Sequence, residues 1–191
     1  MEITKTEFEG LYIIKPQVYT DNRGFFFESY NQKIFEKNGL IYNFVQDNQS
    51  MSKKNVFRGF HYQLEPYSQT KLVRVLKGSV IDYAIDLRRG SPTFGKCFSI
   101  ELSEENKLQL LIPKGFAHGF LTITETAEFF YKCDNFYNRE SEGGIRFDDP
   151  ELNITLPVEK EKLIISEKDR NLPFLKDAKI NFIFGETRWK S

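Results

Sequence analysis

Histidine, cysteine and tryptophan are scarce in this chain: 2 His, 2 Cys and 1 Trp among 191 residues. Two histidines exclude a three-histidine metal site. They also stand far apart, at positions 61 and 118, with no second histidine near either, so no metal is expected. Cys97 and Cys133 are too few for a disulfide framework and read as buried thiols of a reducing compartment. No apolar run reaches the roughly 18 residues that a membrane-spanning helix needs. The opening Met1-Glu2-Ile3-Thr4-Lys5 lacks the apolar core of a signal peptide, so a cytoplasmic protein without membrane attachment is expected. An excess of either charge is absent too: 27 Lys+Arg balance 27 Asp+Glu. That balance argues against a nucleic-acid binder, which normally carries a net basic face, but it leaves room for a local cluster of cations. Repeats, low-complexity tracts and Gly/Ser/Pro-rich linkers are missing as well.

What the chain does have is aromatic bulk, 19 Phe and 9 Tyr, and short apolar runs broken by turn signals. The length fits one domain, large enough to bury roughly 70% of its unfolded surface. The pattern is that of an all-β sandwich or barrel. Ile81 to Leu87 alternates large apolar residues at odd positions with Asp82, Ala84 and Asp86, the signature of a strand with one buried face. The Lys77-Gly78-Ser79 turn before it predicts a hairpin of Lys71–Leu76 with Val80–Leu87. Phe98, Ile100 and Leu102 form the next alternation. Leu108–Ile112, Phe120–Ile123 and Ala127–Cys133 follow, and Leu11–Ile14 and Gly24–Tyr30 are β-like near the N-terminus. Asn31 is placed to cap a short helix that Asn38-Gly39 ends. Ser166 is placed to cap another, with Asp169 at its third position. Ile180–Phe184 reads as a terminal strand and Glu186–Ser191 as a poorly ordered tail.

Taken one at a time, the chemically capable residues are ambiguous. His61 reads either as a satisfied core histidine or as a general base tuned by a carboxylate. His118, between glycines and aromatics, suits turn capping or a phosphate or carbonyl contact. Tyr131 reads as strand packing or as a proton donor aimed into a cavity. Arg23, Arg58, Lys71 and Lys168 read as solvated surface or, if they converge, as a diphosphate site. Arg58 and His61 differ in strand parity, so both reach one cavity only if Gly59 marks a bulge or Arg58 reaches round the strand end. Gln46-Asp47-Asn48 reads as an ordinary turn, and Glu28 as a polar group beside a β segment.

Several stretches together are more specific than any residue alone. These are Asp21-Asn22-Arg23-Gly24-Phe25-Phe26-Phe27-Glu28, Phe44-Val45-Gln46-Asp47-Asn48, Phe57-Arg58-Gly59-Phe60-His61-Tyr62-Gln63 and Lys71-Leu72-Val73-Arg74-Val75-Leu76-Lys77-Gly78. Ile112-Pro113-Lys114-Gly115-Phe116-Ala117-His118-Gly119-Phe120, Tyr131-Lys132-Cys133, Gly144-Ile145-Arg146-Phe147-Asp148-Asp149-Pro150 and Ser166-Glu167-Lys168-Asp169 follow in order. Over about residues 3–178 the chain closely resembles the dTDP-4-dehydrorhamnose 3,5-epimerases. The resemblance implies a single domain over 1–191 with a cupin-type jelly-roll core over about 20–160, then short helices and a tail over 161–191. It also implies a homodimer, a dTDP-sugar substrate, and no metal or organic cofactor. By the same resemblance His61 is the proton acceptor, Tyr131 the donor, Asp169 the carboxylate paired with the base, and Lys71 the cation beside the C4 ketone. Arg23, Glu28, Gln46, Asp47, Asn48, Arg58, His118, Glu142 and Lys168 match positions that hold the nucleotide-sugar, with Arg23 and Glu28 serving the neighbouring subunit. Gln49 and Met51 depart from a common His and Arg, and Leu111, Phe147 and Cys97 from a common Trp. Phe136 replaces a frequent Tyr, while Tyr137 is kept. A single-site 3-epimerase, a non-catalytic sugar-nucleotide-binding cupin and a 3,4-ketoisomerase are the competing expectations.

Overall fold

The computed structural model describes residues 1–186, and the tail expected to be poorly ordered lies, past Glu186, outside them. In chain order the strands are β1 (Glu2–Lys5), β2 (Tyr12–Lys15), β3 (Tyr19–Asp21), β4 (Gly24–Phe26), β5 (Gln46–Lys53), β6 (Phe57–Gln63) and β7 (Lys71–Lys77). They continue with β8 (Ser79–Asp86), β9 (Cys97–Ser103), β10 (Gln109–Ile112), β11 (Phe116–Thr122), β12 (Thr126–Cys133) and β13 (Glu142–Gly144). Two short helices are α1 (Gln32–Lys37) and α2 (Glu167–Arg170). Among the described residues, no helix is long and apolar enough to cross a membrane.

The strands build a double-sheet jelly roll. One sheet has the order β1-β2-β10-β7-β12-β5, the other β13-β6-β11-β8-β9, and β3 pairs with β4 as a separate hairpin. Val73, Val75, Val80, Ala84, Leu102, Phe120 and Phe129 meet between the two sheets. Phe120 stacks on Phe129 across that core with centroids 4.2 Å apart, a contact adding about 0.5–1.5 kcal/mol beyond simple area burial. A second apolar layer covers the outer face of the five-stranded sheet, where Phe57, Tyr83 and Ile85 pack against Ile145, Phe147, Leu163, Ile165 and Phe182 of the C-terminal segment. On the outer face of the six-stranded sheet, Phe35 of α1 packs with Ile14, Leu72 and Leu111.

Both anticipated caps form. Asn31 Oδ1 accepts from Ile34 N at 3.3 Å, and Ser166 Oγ accepts from Asp169 N at 3.1 Å. Four expectations change. The hairpin of Lys71–Leu76 with Val80–Leu87 does not form: β7 pairs with β10 and β12, and β8 with β9 and β11. Gly78 is instead the corner where the chain leaves one sheet for the other. At φ 74° its Cβ position would lie 2.1 Å from the carbonyl oxygen of Thr126, a fit that only glycine allows. The even positions of Ile81–Leu87 are not solvent-facing, because Asp82, Ala84 and Asp86 are all fully buried; a central strand of a sandwich has two covered faces. Gln46–Asn48 begins the edge strand β5 rather than forming a turn. Ile180–Phe184 contributes only an isolated bridge between Ile183 and Arg89.

Candidate active site

A cavity of about 710 Å³ opens between the two sheets, and its lining includes Asn48, Arg58, His61, Lys71, His118, Tyr131, Lys168 and Asp169. His61 (β6) and His118 (β11) belong to the five-stranded sheet, whereas Lys71 (β7) and Tyr131 (β12) belong to the six-stranded one. The ionisable groups therefore face each other from opposite walls. A smaller cavity of about 280 Å³ adjoins it, sharing His61, Lys71, Tyr131 and Lys168 and adding Tyr137 and Glu142.

The parity conflict between Arg58 and His61 is resolved at Gly59. His118 pairs with His61 and Phe120 with Arg58, so the register slips by one residue between them, as in a β-bulge. Gly59 has φ 136°, and its Cβ position would lie 2.6 Å from Gly119 Cα. Two glycines are thus needed for these backbones to approach, and the slip lets Arg58 and His61 line one cavity. Arg58 Nε donates to Ser52 Oγ at 3.0 Å and its Nη2 to the Met51 carbonyl at 3.3 Å, tying the guanidinium to β5 of the other sheet.

His61 Nε2 lies 2.7 Å from Asp169 Oδ1. The imidazole is partly open to the cavity, and the carboxylate behind it is buried. Asp169 Oδ2 accepts from Gly59 N at 3.2 Å. Burial works to raise the Asp169 carboxyl, but the His61 hydrogen bond and charge, the Gly59 N–H and Ser166 outweigh it and hold the group below its usual value. Asp169 is thus a committed carboxylate that orients the ring, and Nε2–H donation to it leaves Nδ1 to take a proton.

Opposite, burial pushes the Tyr131 hydroxyl up to about 12, with Cys133 adding and Arg58 opposing. Tyr131 is a neutral donor near neutrality. The Lys71 ammonium lies 5.8 Å from the Tyr131 ring centroid. Burial pulls Lys71 below its usual value, opposed by Cys133 and Asp82. His118 Nε2 lies 2.8 Å from Oδ2 of the fully buried Asp82. Lys168 Nζ donates to Glu142 at 2.7 Å at the mouth of the smaller cavity.

The residues singled out from sequence divide accordingly. His61, Tyr131, Asp169, Lys71, Asn48, Arg58, His118 and Lys168 converge on the larger cavity, and Glu142 on the smaller. Gln46 stands just outside, its Oε1 accepting from Tyr137 N at 3.1 Å. Asp47 points away and pairs with Lys132 at 2.9 Å. Arg23 and Glu28 are not brought to the cavity within one chain: Arg23 pairs with Asp21 at 2.6 Å on the β3–β4 hairpin, and Glu28 accepts from Asn31. The sequence reading missed Asp82 as the partner of His118. The available signal was an acidic residue repeated at alternate positions of an apolar strand, which that reading assigned to the uncovered face. Among the described residues, no group of three or more His, Cys, Asp or Glu side chains is arranged to hold a metal ion.

Comparison with known proteins shows what the chain is similar to. The family model described as dTDP-4-dehydrorhamnose 3,5-epimerase matches residues 5–177. The chain is 52% identical over 172 residues to the dTDP-4-dehydrorhamnose 3,5-epimerase of Shigella flexneri, covering 90% of this chain and 94% of that one. Its fold is similar to the dTDP-6-deoxy-D-glucose-3,5-epimerase of Legionella pneumophila solved in complex with dTDP-4-keto-L-rhamnose, with TM-score 0.87, 47% identity, and coverage of 92% and 93% of the two chains. It is also similar to a 3'-monoepimerase from Streptomyces bikiniensis in complex with dTDP-quinovose, with TM-score 0.85, 28% identity, and coverage of 91% and 87%. These neighbours bear out the cupin-type jelly roll.

Proposed function

The chain belongs to the dTDP-4-dehydrorhamnose 3,5-epimerase family, and from that premise we propose that it epimerises dTDP-4-dehydro-6-deoxy-D-glucose at C3 and C5 to dTDP-4-dehydro-L-rhamnose. The observation that carries this reading is the facing of His61, backed by a buried carboxylate, and protonated Tyr131 across one cavity.

The substrate's chemistry explains why such an arrangement suffices. The C–H bonds at C3 and C5 flank the C4 ketone, so either carbanion delocalises onto the carbonyl oxygen as an enolate. Inversion then requires removal of a proton from one face of the ring and return of one to the other. His61 is the base, and Asp169 fixes its tautomer and stabilises the imidazolium that forms. Tyr131 delivers a proton to the opposite face, and exchange with solvent resets both groups. Lys71 meets the charge that develops on the C4 oxygen, and one such preorganised donor lowers a barrier by about 3–4 kcal/mol. Arg58, His118, Asn48 and Lys168 in the larger cavity and Glu142 in the smaller hold the diphosphate and nucleoside, a handle remote from the reacting carbons. The scheme draws on no cofactor.

The β3–β4 hairpin supports a homodimer. Tyr19, Phe25 and Phe26 are 63%, 59% and 68% exposed beside Arg23, an apolar group that a partner subunit covers. Arg23 and Glu28 then complete the partner's cavity. The test of the overall reading is incubation with dTDP-4-dehydro-6-deoxyglucose in deuterium oxide, coupled to a reductase that consumes the 4-keto product. Deuterium at both C3 and C5 is expected. Deuterium at C3 alone makes the protein a 3-epimerase, and none at either position makes it a non-catalytic binder.

A further inference from the structure

A second His–carboxylate pair stands beside the first. His118 on β11 and His61 on β6 are directly paired residues of neighbouring strands. Each imidazole turns Nε2 to a carboxylate, His118 to Asp82 Oδ2 at 2.8 Å and His61 to Asp169 Oδ1 at 2.7 Å. The two carboxyl groups are supported very differently. Asp169 accepts from Gly59 N as well as meeting His61, and it lines the cavity. Asp82 is fully buried and bonded to His118 alone, because its Oδ1 has no hydrogen-bond partner among the described residues. Its cross-strand neighbours are Phe120 on one side and Ile100 on the other, and the His118 ring lies 5.9 Å from that of Phe129.

An ionised carboxylate has room for about four hydrogen bonds. One buried among apolar groups with a single bond is costly unless an adjoining cation cancels its charge. His118 is the group in contact, so the least costly state of the pair is the one with no net charge. That state holds one proton between Asp82 Oδ2 and His118 Nε2 and a second on Nδ1, wherever the first sits along the bond. Burial acts in the same direction and pushes the Asp82 carboxyl up, outweighing His118 and Lys71. Of the other charges around the two cavities, Asp169 is paired with His61 and Lys168 with Glu142, at 2.7 Å each, and Tyr131 is neutral. Arg58 and Lys71 favour loss of the shared proton. Arg58, however, is exposed and screened by water, and Lys71 is the weakest of the influences on Asp82. His118 lines the cavity and Asp82 does not. With Nε2 held by Asp82, Nδ1 is the ring nitrogen left for a ligand.

We propose that Asp82 is a positioning residue that shares a proton with His118 and so fixes His118 as an Nδ1–H donor toward a diphosphate oxygen of the ligand. The diphosphate contact rests on the proposed function; the placement of the proton does not. The chain contains just two histidines, so 15N NMR of untagged, histidine-labelled protein shows only these two rings, and His61→Gln assigns them. At about pH 8, above the ordinary histidine value of about 6.5, His118 Nδ1 is expected to carry a proton in the ligand-free protein. Its resonance is expected to move when dTDP is added. A bare His118 Nδ1 overturns the proposal, and an Nδ1–H resonance that saturating dTDP leaves in place overturns the donor role. Asp82→Leu keeps the branching of the side chain and removes its polar atoms. It is expected to weaken dTDP binding about tenfold by calorimetry, the loss of one hydrogen bond to a charged group. Unchanged affinity in a folded Asp82→Leu protein overturns the positioning role; if that variant does not fold, the wild-type spectrum decides. If no deuterium enters the substrate while His118 keeps Nδ1–H and responds to dTDP, the epimerase reading fails and the pair stands, so the two failures are distinguishable.

Discussion

His61 Nε2 sits 2.7 Å from Asp169 Oδ1, and these residues are 108 positions apart in the chain. The contact exists because α2 is docked against β6: Ser166 caps the helix, Ile164 bridges to Val56, and Gly59 donates its N–H to the second carboxylate oxygen. Removing the charge while keeping the shape isolates the effect. Asp169→Asn is expected to lower kcat by about 10²–10⁴-fold, the usual range for a general-base function, with KM changing little. Steady-state kinetics checks this.

The same carboxylate has a pH signature in stability. Its folded-state value lies below the ordinary 3.8, so its contribution is present above that pH and is lost as the pH falls through the lower folded value. The stability gap between wild type and Asp169→Asn, measured by urea unfolding, is therefore expected at pH 7 and expected to shrink as the pH falls below 3.8. A gap that stays constant across that window contradicts the assignment.

Tyr131→Phe removes only a hydroxyl. In the proposed scheme proton abstraction by His61 does not need it, so some solvent exchange is expected to persist while formation of the inverted product is lost. With the hydroxyl pushed to about 12, Tyr131 is also expected to contribute no alkaline limb to wild-type activity below that pH. Normal turnover by the variant makes Tyr131 a packing residue.

Gly59→Ala tests the bulge that brings Arg58 and His61 together. A Cβ there meets Gly119 Cα at 2.6 Å with φ at 136°. A destabilisation of about 1–3 kcal/mol from the backbone conformation alone is expected, measured by chemical denaturation, together with loss of activity.

Subunit exchange tests the placement of Arg23. If Arg23 completes the partner's cavity, a mixed dimer of Arg23→Ala and His61→Ala subunits contains one intact site. Co-expressed subunits are expected to regain activity that neither homodimer has. No gain in a verified heterodimer contradicts the placement.

The residues themselves conveyed much of this architecture, but unevenly. Phe98, Ile100 and Leu102 alternate because one face of β9 meets the core, and that period survives folding. Asn31 and Ser166 declared their helices through local hydrogen bonding. The Lys77-Gly78-Ser79 turn misled, because a left-handed glycine serves a hairpin and a sheet-to-sheet corner equally well; only pairing partners far along the chain distinguish them. Gln46–Asn48 looked like a turn because an edge strand tolerates polar residues on both faces. Resemblance brought Asp169 to His61, since spacing carries no information about a contact over 108 positions. Asp82 stayed hidden because alternation predicts two faces but not that both are covered.

The central claim is that His61 removes the protons flanking the ketone. Its most direct test is proton NMR of dTDP-4-dehydro-6-deoxyglucose in deuterium oxide with wild type and with His61→Ala. The account predicts that the C3 and C5 signals wash out with wild type and persist with the variant. Exchange at the wild-type rate in His61→Ala would contradict it.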